Sequence, residues 1–268
     1  MYSLVILTLN EEKALPACLA SVSRCEDIVV LDSGSTDQTQ VLAKAAGARV
    51  FFRPFDSFAG QRNHAQKAIG FRFPWVLHLD ADERLTPELD EECRGVVGRS
   101  DLDGFRIAPR MVFEGRWIPH CTDFPAYQAR FVRAPQFEFV QAGHGQRESP
   151  AMRMENMSQG YLHDLSIYGE GAWIAKHKKY AKEEAHALLS ATGGANLGEL
   201  ISRNPIARRR ALKRLSFKLP FRSSLRFAYQ YGLRLGFLDG RQGLRYCRLL
   251  ARYEGFISDE IKRLKATD

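Results

Sequence analysis

WVLHLDADE, residues 75–83, sets two carboxylates, Asp80 and Asp82, directly behind a short apolar run. Val76, Leu77 and Leu79 follow the breaker Pro74, and a run of that length with those flanks reads as an interior strand rather than a helix. The aspartates then fall at the strand's carboxyl end, which in an open α/β sheet is the edge where ligands bind. Two carboxylates two residues apart repel each other unless a cation or a hydrogen-bond network lies between them. Mg²⁺ or Mn²⁺ with diphosphate oxygens suits such a sparse oxygen set. The other reading of the same residues is a surface turn whose acid caps the helix starting near Pro87.

Upstream, Ser3 to Thr8 (SLVILT) is apolar almost throughout, as for a strand covered on both faces, and runs into Asn10, Glu11 and Glu12. A helix follows over about 14–23, with Leu15, Leu19 and Val22 at helical spacing and Pro16 in its first turn. Asp27 to Leu31 reads as a second buried strand, closed by DSGSTD (32–37), in which Ser35, Thr36 or Asp37 can cap a helix over about 38–46 that Gly47 ends. Residues 48–52 make a third strand. This β-α-β-α-β order with short connections signals an α/β fold with a mostly parallel, Rossmann-like sheet. The loops TLNEE and DSGSTD then lie together at its carboxyl edge, with side chains that accept from base and ribose donors and a helix start that stabilises negative charge. A nucleotide suits this edge; taken alone, DSGSTD also reads as a plain capped loop. Residues 55–60 read as a loop and Gln61 to Ile69 as a helix aiming Arg62 and Asn63 at the same edge, where Arg62 is either a contact to base or diphosphate or a solvated side chain.

After a helix over 87–97 and strands over 104–109 and 111–118, the alternation stops, and the region reads as an acceptor side. Its polar candidates include His120, Asp123, Arg130, His144, Glu148 and His163. Asp123 sits between Pro119 and Pro125 in a segment that is neither regular helix nor central strand, and a carboxylate on such a loop serves as a general base or as a solvated cap. His163 is by residue type more often structural than a ligand. A helix over 171–189 and a small-residue linker over 191–197 follow. The expected domains are 1–190, divided into a nucleotide half (1–100) and an acceptor half (101–190), and a basic helical region, 191–268.

The net charge of +8 is uneven: residues 1–202 carry 22 Lys+Arg against 26 Asp+Glu, and residues 203–265 carry 17 against 4. In 221–235 the polar residues Arg222, Arg226, Gln230 and Arg234 recur every four, opposite Phe221, Leu225, Ala228 and Leu235; Arg241, Arg245, Arg248 and Arg252 repeat the stripe in a second helix. Cationic amphipathic helices suit an anionic membrane surface, each cation contributing on the order of 1 kcal/mol, with an oligomer contact as the alternative. No nucleic-acid-binding pattern is present. The five cysteines include no CxxC pair, which argues against a zinc ribbon or a disulfide framework and for reduced thiols in a cytoplasmic protein. The N-terminus reads as a first strand rather than a signal peptide, and no run reaches the roughly 18–20 apolar residues of a spanning helix.

As an ordered set, SLVILTLNEE, VVLDSGSTDQT, GQRNHA, WVLHLDADE and the later DFPAYQARFVR resemble the family 2 glycosyltransferases of GT-A type, and more closely the bacterial lipopolysaccharide-core β-glucosyltransferases. The resemblance implies inverting transfer of a hexose from a nucleotide sugar, UDP-linked, to a glycan or lipid-linked acceptor, with Mg²⁺ or Mn²⁺, at the inner face of the bacterial inner membrane. By the same resemblance Thr8, Asn10, Glu12, Asp32, Ser33 and Arg62 contact the nucleotide sugar, Asp80 and Asp82 hold metal and diphosphate with Asp82 the stronger ligand, and His163 adds a further contact. Relatives read aromatic-Pro-Asp-Tyr-Gln where this chain has Phe124-Pro125-Ala126-Tyr127-Gln128, so the base role passes to Asp123. A sugar nucleotidyltransferase lacks support, because no Gly-rich, Arg/Lys-bearing phosphate loop lies near the N-terminus. Against an inactive nucleotide-fold protein of the membrane surface stand the intact DxD and a candidate base.

Overall fold

β1 (Ser3–Thr8) is buried along its whole length. Its alternate residues serve opposite faces: Leu4 and Ile6 join one core, Val5 and Leu7 the other. A strand that must be apolar on both faces belongs inside a sheet flanked by helices, and that is its place. In the computed structural model, which describes residues 1–142, 145–190 and 221–266, β1 pairs in parallel with β2 (Ile28–Asp32) on one side and β4 (Trp75–Asp80) on the other. His144, the 191–197 linker and residues 203–220 of the basic tail lie outside the described residues.

The helices that cover the sheet form where the sequence places them. α1 (Leu15–Ser21) carries Pro16 in its first turn, and α2 (Thr39–Ala45) starts where Asp37 accepts from the Thr39 amide and hydroxyl, with Gly47 at φ +79° closing it. β3 (Arg49–Phe52) extends the sheet beyond β2. α3 (Phe58–Ala68) begins three residues before the expected start, because Ser57 accepts the Gly60 amide and caps it. α4 (Pro87–Val96) is capped by Thr86. Leu15, Ala43, Leu89 and Cys93 cover one face of the sheet, and Ala65 of α3 with Ile69 just after it the other.

The remaining strands are β5 (Glu83–Arg84), β6 (Gly104–Ile107), β7 (Arg110–Phe113), β8 (Arg116–Trp117), β9 (Gln128–Arg133), β10 (Phe139–Ala142), β11 (Gly145–Glu148), β12 (Met154–Asn156) and β13 (Leu162–Asp164). The seven-stranded main sheet runs β12-β6-β9-β4-β1-β2-β3. β9 is antiparallel to both neighbours while the other pairings are parallel. Trp75 stacks on Phe131 of β9 at 5.0 Å between ring centres, tying β4 to its antiparallel neighbour. A second sheet, β5-β13-β7-β8, lays β13 against the residues that follow β4. The chain is thus an α/β protein with a mostly parallel central sheet.

Two compact units divide it: residues 1–117 with 123–167, and residues 118–122 with 168–268. The sequence reading grouped the helix over 171–189 with the residues before it; as α5 (Gly169–Ser190) it falls in the second unit, where it packs on α7 (Gly240–Lys265) through His177 against Tyr253 and Lys178 over Phe256. Between them lie α6 (Arg222–Phe227), a π-helical turn (Ala228–Leu233) and a 3-10 turn (Gly236–Asp239). The polar stripe expected to face outward here faces inward. Arg222 pairs with Glu254, Gln230 is buried, and Arg234 donates to the Thr122 carbonyl. Among the described residues no helix is long and apolar enough to cross a membrane.

Candidate functional site

Because β1 lies between β2 and β4, the loops after all three strands share one edge. The first two are laced together. Asp32 is fully buried; its Oδ1 accepts from the Gly34 and Ser35 amides and from Gln40, and its Oδ2 from the hydroxyls of Thr8 and Ser35. Burial alone pushes the Asp32 carboxyl up, but the hydrogen bonds from Ser35, Thr8 and Gln40 outweigh it and hold the pKa below the ordinary value. Asn10, in left-handed backbone at φ 56°, accepts the Thr36 amide, while the Glu12 amide donates to Asp37 and Glu12 Oε2 accepts the Gln38 amide. Thr8 and Asp32 thus serve as the internal frame of the two loops. Asn10 is exposed, and Glu12 and Ser33 are half-buried at the rim.

Beyond β4 the carboxylates part company. Asp80 Oδ1 accepts from Arg62 at 2.8 Å and Oδ2 from Arg130 at 3.1 Å, and both arginines are buried. Arg130 also reaches Glu83 at 2.8 Å and lies over the Tyr161 ring, while Glu83 Oε2 accepts the Asp80 amide. Burial is the largest influence on the Asp80 carboxyl and raises it, yet the charges of Arg130 and Arg62 carry its pKa well below the usual range. In Glu83 burial prevails over Arg130, and the pKa is raised. Arg62 therefore faces Asp80 from inside the protein, with Nε and Nη1 buried and unpartnered. Asn63, read in sequence as pointing to the nucleotide edge, instead pairs with the Phe139 backbone through both its amide oxygen and nitrogen.

Asp82 takes a different partner. Pairing of β13 with β5 sets His163 opposite Glu83, and His163 Nε2 stands 3.3 Å from Asp82 Oδ2. Burial disfavours the charged imidazole, but the hydrogen bond to Asp82 and the charges of Asp82, Glu83 and Asp80 win, raising its pKa to about 9. The 3.3 Å gap is about the spacing of neighbouring ligands on an ion with bonds of about 2.1 Å, so Asp82 and His163 fit such an ion. Among the described residues no cluster of three or more His, Cys, Asp or Glu converges to form a complete cation site; the remaining ligands would be substrate oxygens and water, as Mg²⁺ sites commonly use.

Asp123 is exposed on a turn, followed by a cis Phe124–Pro125 bond, and the Phe124 ring meets Trp117 edge-on at 5.3 Å. Glu148, another acid of the same stretch, is pinned by Arg106 at 2.6 Å. The five residues before Asp123 belong to the second unit, and buried polar groups hold them there. Asp239 accepts the Cys121 amide at 2.8 Å and meets His120 Nδ1 at 2.7 Å; Gln230 donates to the Cys121 carbonyl at 2.7 Å. Cys121 and Cys247, both reduced and buried, have sulfurs 3.3 Å apart.

Sequence reasoning gave Glu83 no role and read Gln230 as part of an outward stripe. Both were hidden for the same reason: a side chain's value here depends on a partner 47 or 109 residues away. The signal present in the sequence was Glu83 itself, an acid one residue past the DxD in a strand-like stretch.

The family model described as "Glycosyl transferase family 2" matches residues 3–140. The lipopolysaccharide core biosynthesis glycosyltransferase LpsC of Rhizobium meliloti is 40% identical over 114 residues, a segment covering 40% of this chain and 42% of that protein. An uncharacterized glycosyltransferase of Rickettsia typhi is 35% identical over 104 residues, covering 38% and 35%. The match thus spans less than half the length of either relative. Among solved structures, S. aureus TarS 1-349 in complex with UDP-GlcNAc aligns with a TM-score of 0.46 and 15% identity, over 100% of this chain and 92% of that one.

Proposed function

The chain belongs to glycosyl transferase family 2, and from that premise we propose that it is an inverting transferase moving a hexose from a UDP-sugar to a glycan or lipid-linked acceptor. LpsC's role in lipopolysaccharide core biosynthesis favours an acceptor of cell-surface polysaccharide chemistry, handled at the inner face of a bacterial inner membrane. The observation that carries the proposal is the shared edge, where the interlocked loops after β1 and β2 meet the Asp80–Glu83 cluster after β4 and His163 of β13.

In this reading Asn10, Glu12 and Ser33 line the nucleotide's approach, and Thr8 and Asp32 keep the loops in register beneath it. Asp80, its oxygens spent on Arg62 and Arg130, fixes those two cations beside the donor's diphosphate. Asp82 and His163 are the residues that would hold Mg²⁺ or Mn²⁺. Bound there, the ion would neutralise charge on the departing diphosphate.

The acceptor oxygen attacks the anomeric carbon as the bond to the β-phosphate oxygen breaks. Its proton passes to the Asp123 carboxylate, and the nucleoside diphosphate leaves. One displacement inverts the anomeric centre. The exposed turn that carries Asp123, braced by Phe124 on Trp117, supports its role as the base. Screening UDP-hexoses for acceptor-dependent UDP release tests the activity. Asp123→Asn is expected to keep UDP affinity and lose transfer; full transfer by this variant would remove Asp123 from the mechanism.

A further inference from the structure

A soluble helix normally turns its apolar side inward. In the segment 221–235 the arrangement is reversed. Arg222 pairs with Glu254, Gln230 binds the Cys121 carbonyl and Arg234 binds the Thr122 carbonyl, all on the packed side. The residues one helical repeat apart on the other side are apolar and, among the described residues, exposed: Phe221 is 81% exposed, Leu225 47%, Tyr229 45% and Leu233 80%. Both ends of the segment are held in left-handed backbone, at Phe221 (φ 56°) and Leu235 (φ 61°), a conformation that bulky side chains rarely adopt. Phe237, two residues on, is 48% exposed as well.

A continuous apolar ridge of this kind on an otherwise charged surface marks a place where something docks. The charge around it selects the occupant. Residues 221–265 carry 10 Lys+Arg against 4 Asp+Glu, and Arg241 and Arg248 of α7 are exposed. A second copy would bring the same positive charge to the same face and repel it. An anionic lipid surface neutralises that charge and accepts the apolar side chains below its headgroups. We propose that the ridge Phe221, Leu225, Tyr229 and Leu233 is the element that inserts into an anionic bilayer, with the surrounding arginines on the headgroups. Insertion thus uses the side of the helix opposite its arginine stripe. This assignment does not depend on the transfer reaction.

The test is flotation of the full chain with vesicles of phosphatidylethanolamine and phosphatidylglycerol, against vesicles of phosphatidylcholine alone. The wild type is expected to float with the anionic vesicles and to retain part of that binding in high salt. Leu225→Gln with Leu233→Gln leaves the charge unchanged and is expected to lower binding about tenfold or more, because two leucine side chains lose their apolar burial. Phe221→Trp provides a readout that needs no loss of binding: the emission it adds to that of the three native tryptophans, taken as the difference from the wild type, should shift to the blue on anionic vesicles and be quenched by brominated acyl chains. Three results would overturn the assignment: wild-type flotation by the double variant, an unshifted emission from the Phe221→Trp variant, or a wild-type dimer in sedimentation that the double variant splits into monomers.

Discussion

Replacing Arg130 by Met is the perturbation whose size follows most directly from the geometry. Arg130 bridges Asp80 at 3.1 Å and Glu83 at 2.8 Å, and Glu83 is fully buried. Asp80 keeps Arg62, at 2.8 Å. Glu83 keeps only the Asp80 amide and the more distant His163, 3.8 Å away. Breaking a buried ion pair from one side costs about 3–5 kcal/mol, because the remaining charge is left uncompensated. Glu83 can escape part of that cost by taking up a proton, since burial already raises its pKa and loss of Arg130 raises it further. A group whose native pKa lies above its unfolded value loses stability as pH rises through that native pKa. The deficit of Arg130→Met should therefore be small in mild acid and grow by up to about 1.4 kcal/mol per pH unit above it. Urea unfolding followed by tryptophan fluorescence, to which Trp75, stacked on Phe131 of the same strand as Arg130, contributes, measures this. Adding Glu83→Gln should recover most of the loss and remove its pH dependence. A pH-independent deficit, or a double variant no better than the single one, would refute the reasoning.

Asp32 is held below its ordinary pKa by the loop hydrogen bonds, so its contribution is present above about pH 4 and lost as pH falls through the depressed native value. Asp32→Asn should weaken UDP binding and flatten the acid limb of the unfolding curve, read by pH titration of the circular dichroism signal. Gln230→Ala orphans the buried Cys121 carbonyl and should cost about 1–3 kcal/mol, visible as a lower melting midpoint. Gly236→Ala should be at least as damaging, because a Cβ there would meet the Gln230 carbonyl at 2.7 Å and the Cys121 sulfur at 2.9 Å; unchanged melting would show that the packing is looser than described.

The parallel order of β1, β2 and β4 was legible because each strand is a short apolar run bounded by a breaker or a polar loop, and both faces of each are buried in the same way. Of the three residues the sequence offers as caps for α2, Ser35, Thr36 and Asp37, it is Asp37 that accepts the Thr39 amide, while the Ser57 cap of α3 was not legible. What could not be read was pairing at a distance. Nothing in the spacing of WVLHLDADE says that Asp80 will meet two arginines from α3 and β9 while Asp82 meets a histidine from β13. The periodicity of 221–235 correctly gave two faces but not which one looks outward; that was decided by the backbone carbonyls of Cys121 and Thr122, which lie more than a hundred residues upstream and offered Gln230 and Arg234 their partners.

The most direct test of the central proposal, a divalent ion held at Asp82 and His163 beside a bound nucleotide sugar, is the electron paramagnetic resonance of Mn²⁺ titrated into the protein with and without UDP. With the wild type the free-ion signal should disappear, more completely once UDP is present, and it should persist with Asp82→Ala and with His163→Ala while Arg62 and Asp80 are intact. Equal loss of the free signal in the wild type and both variants, or none in the wild type with UDP, would contradict the proposal.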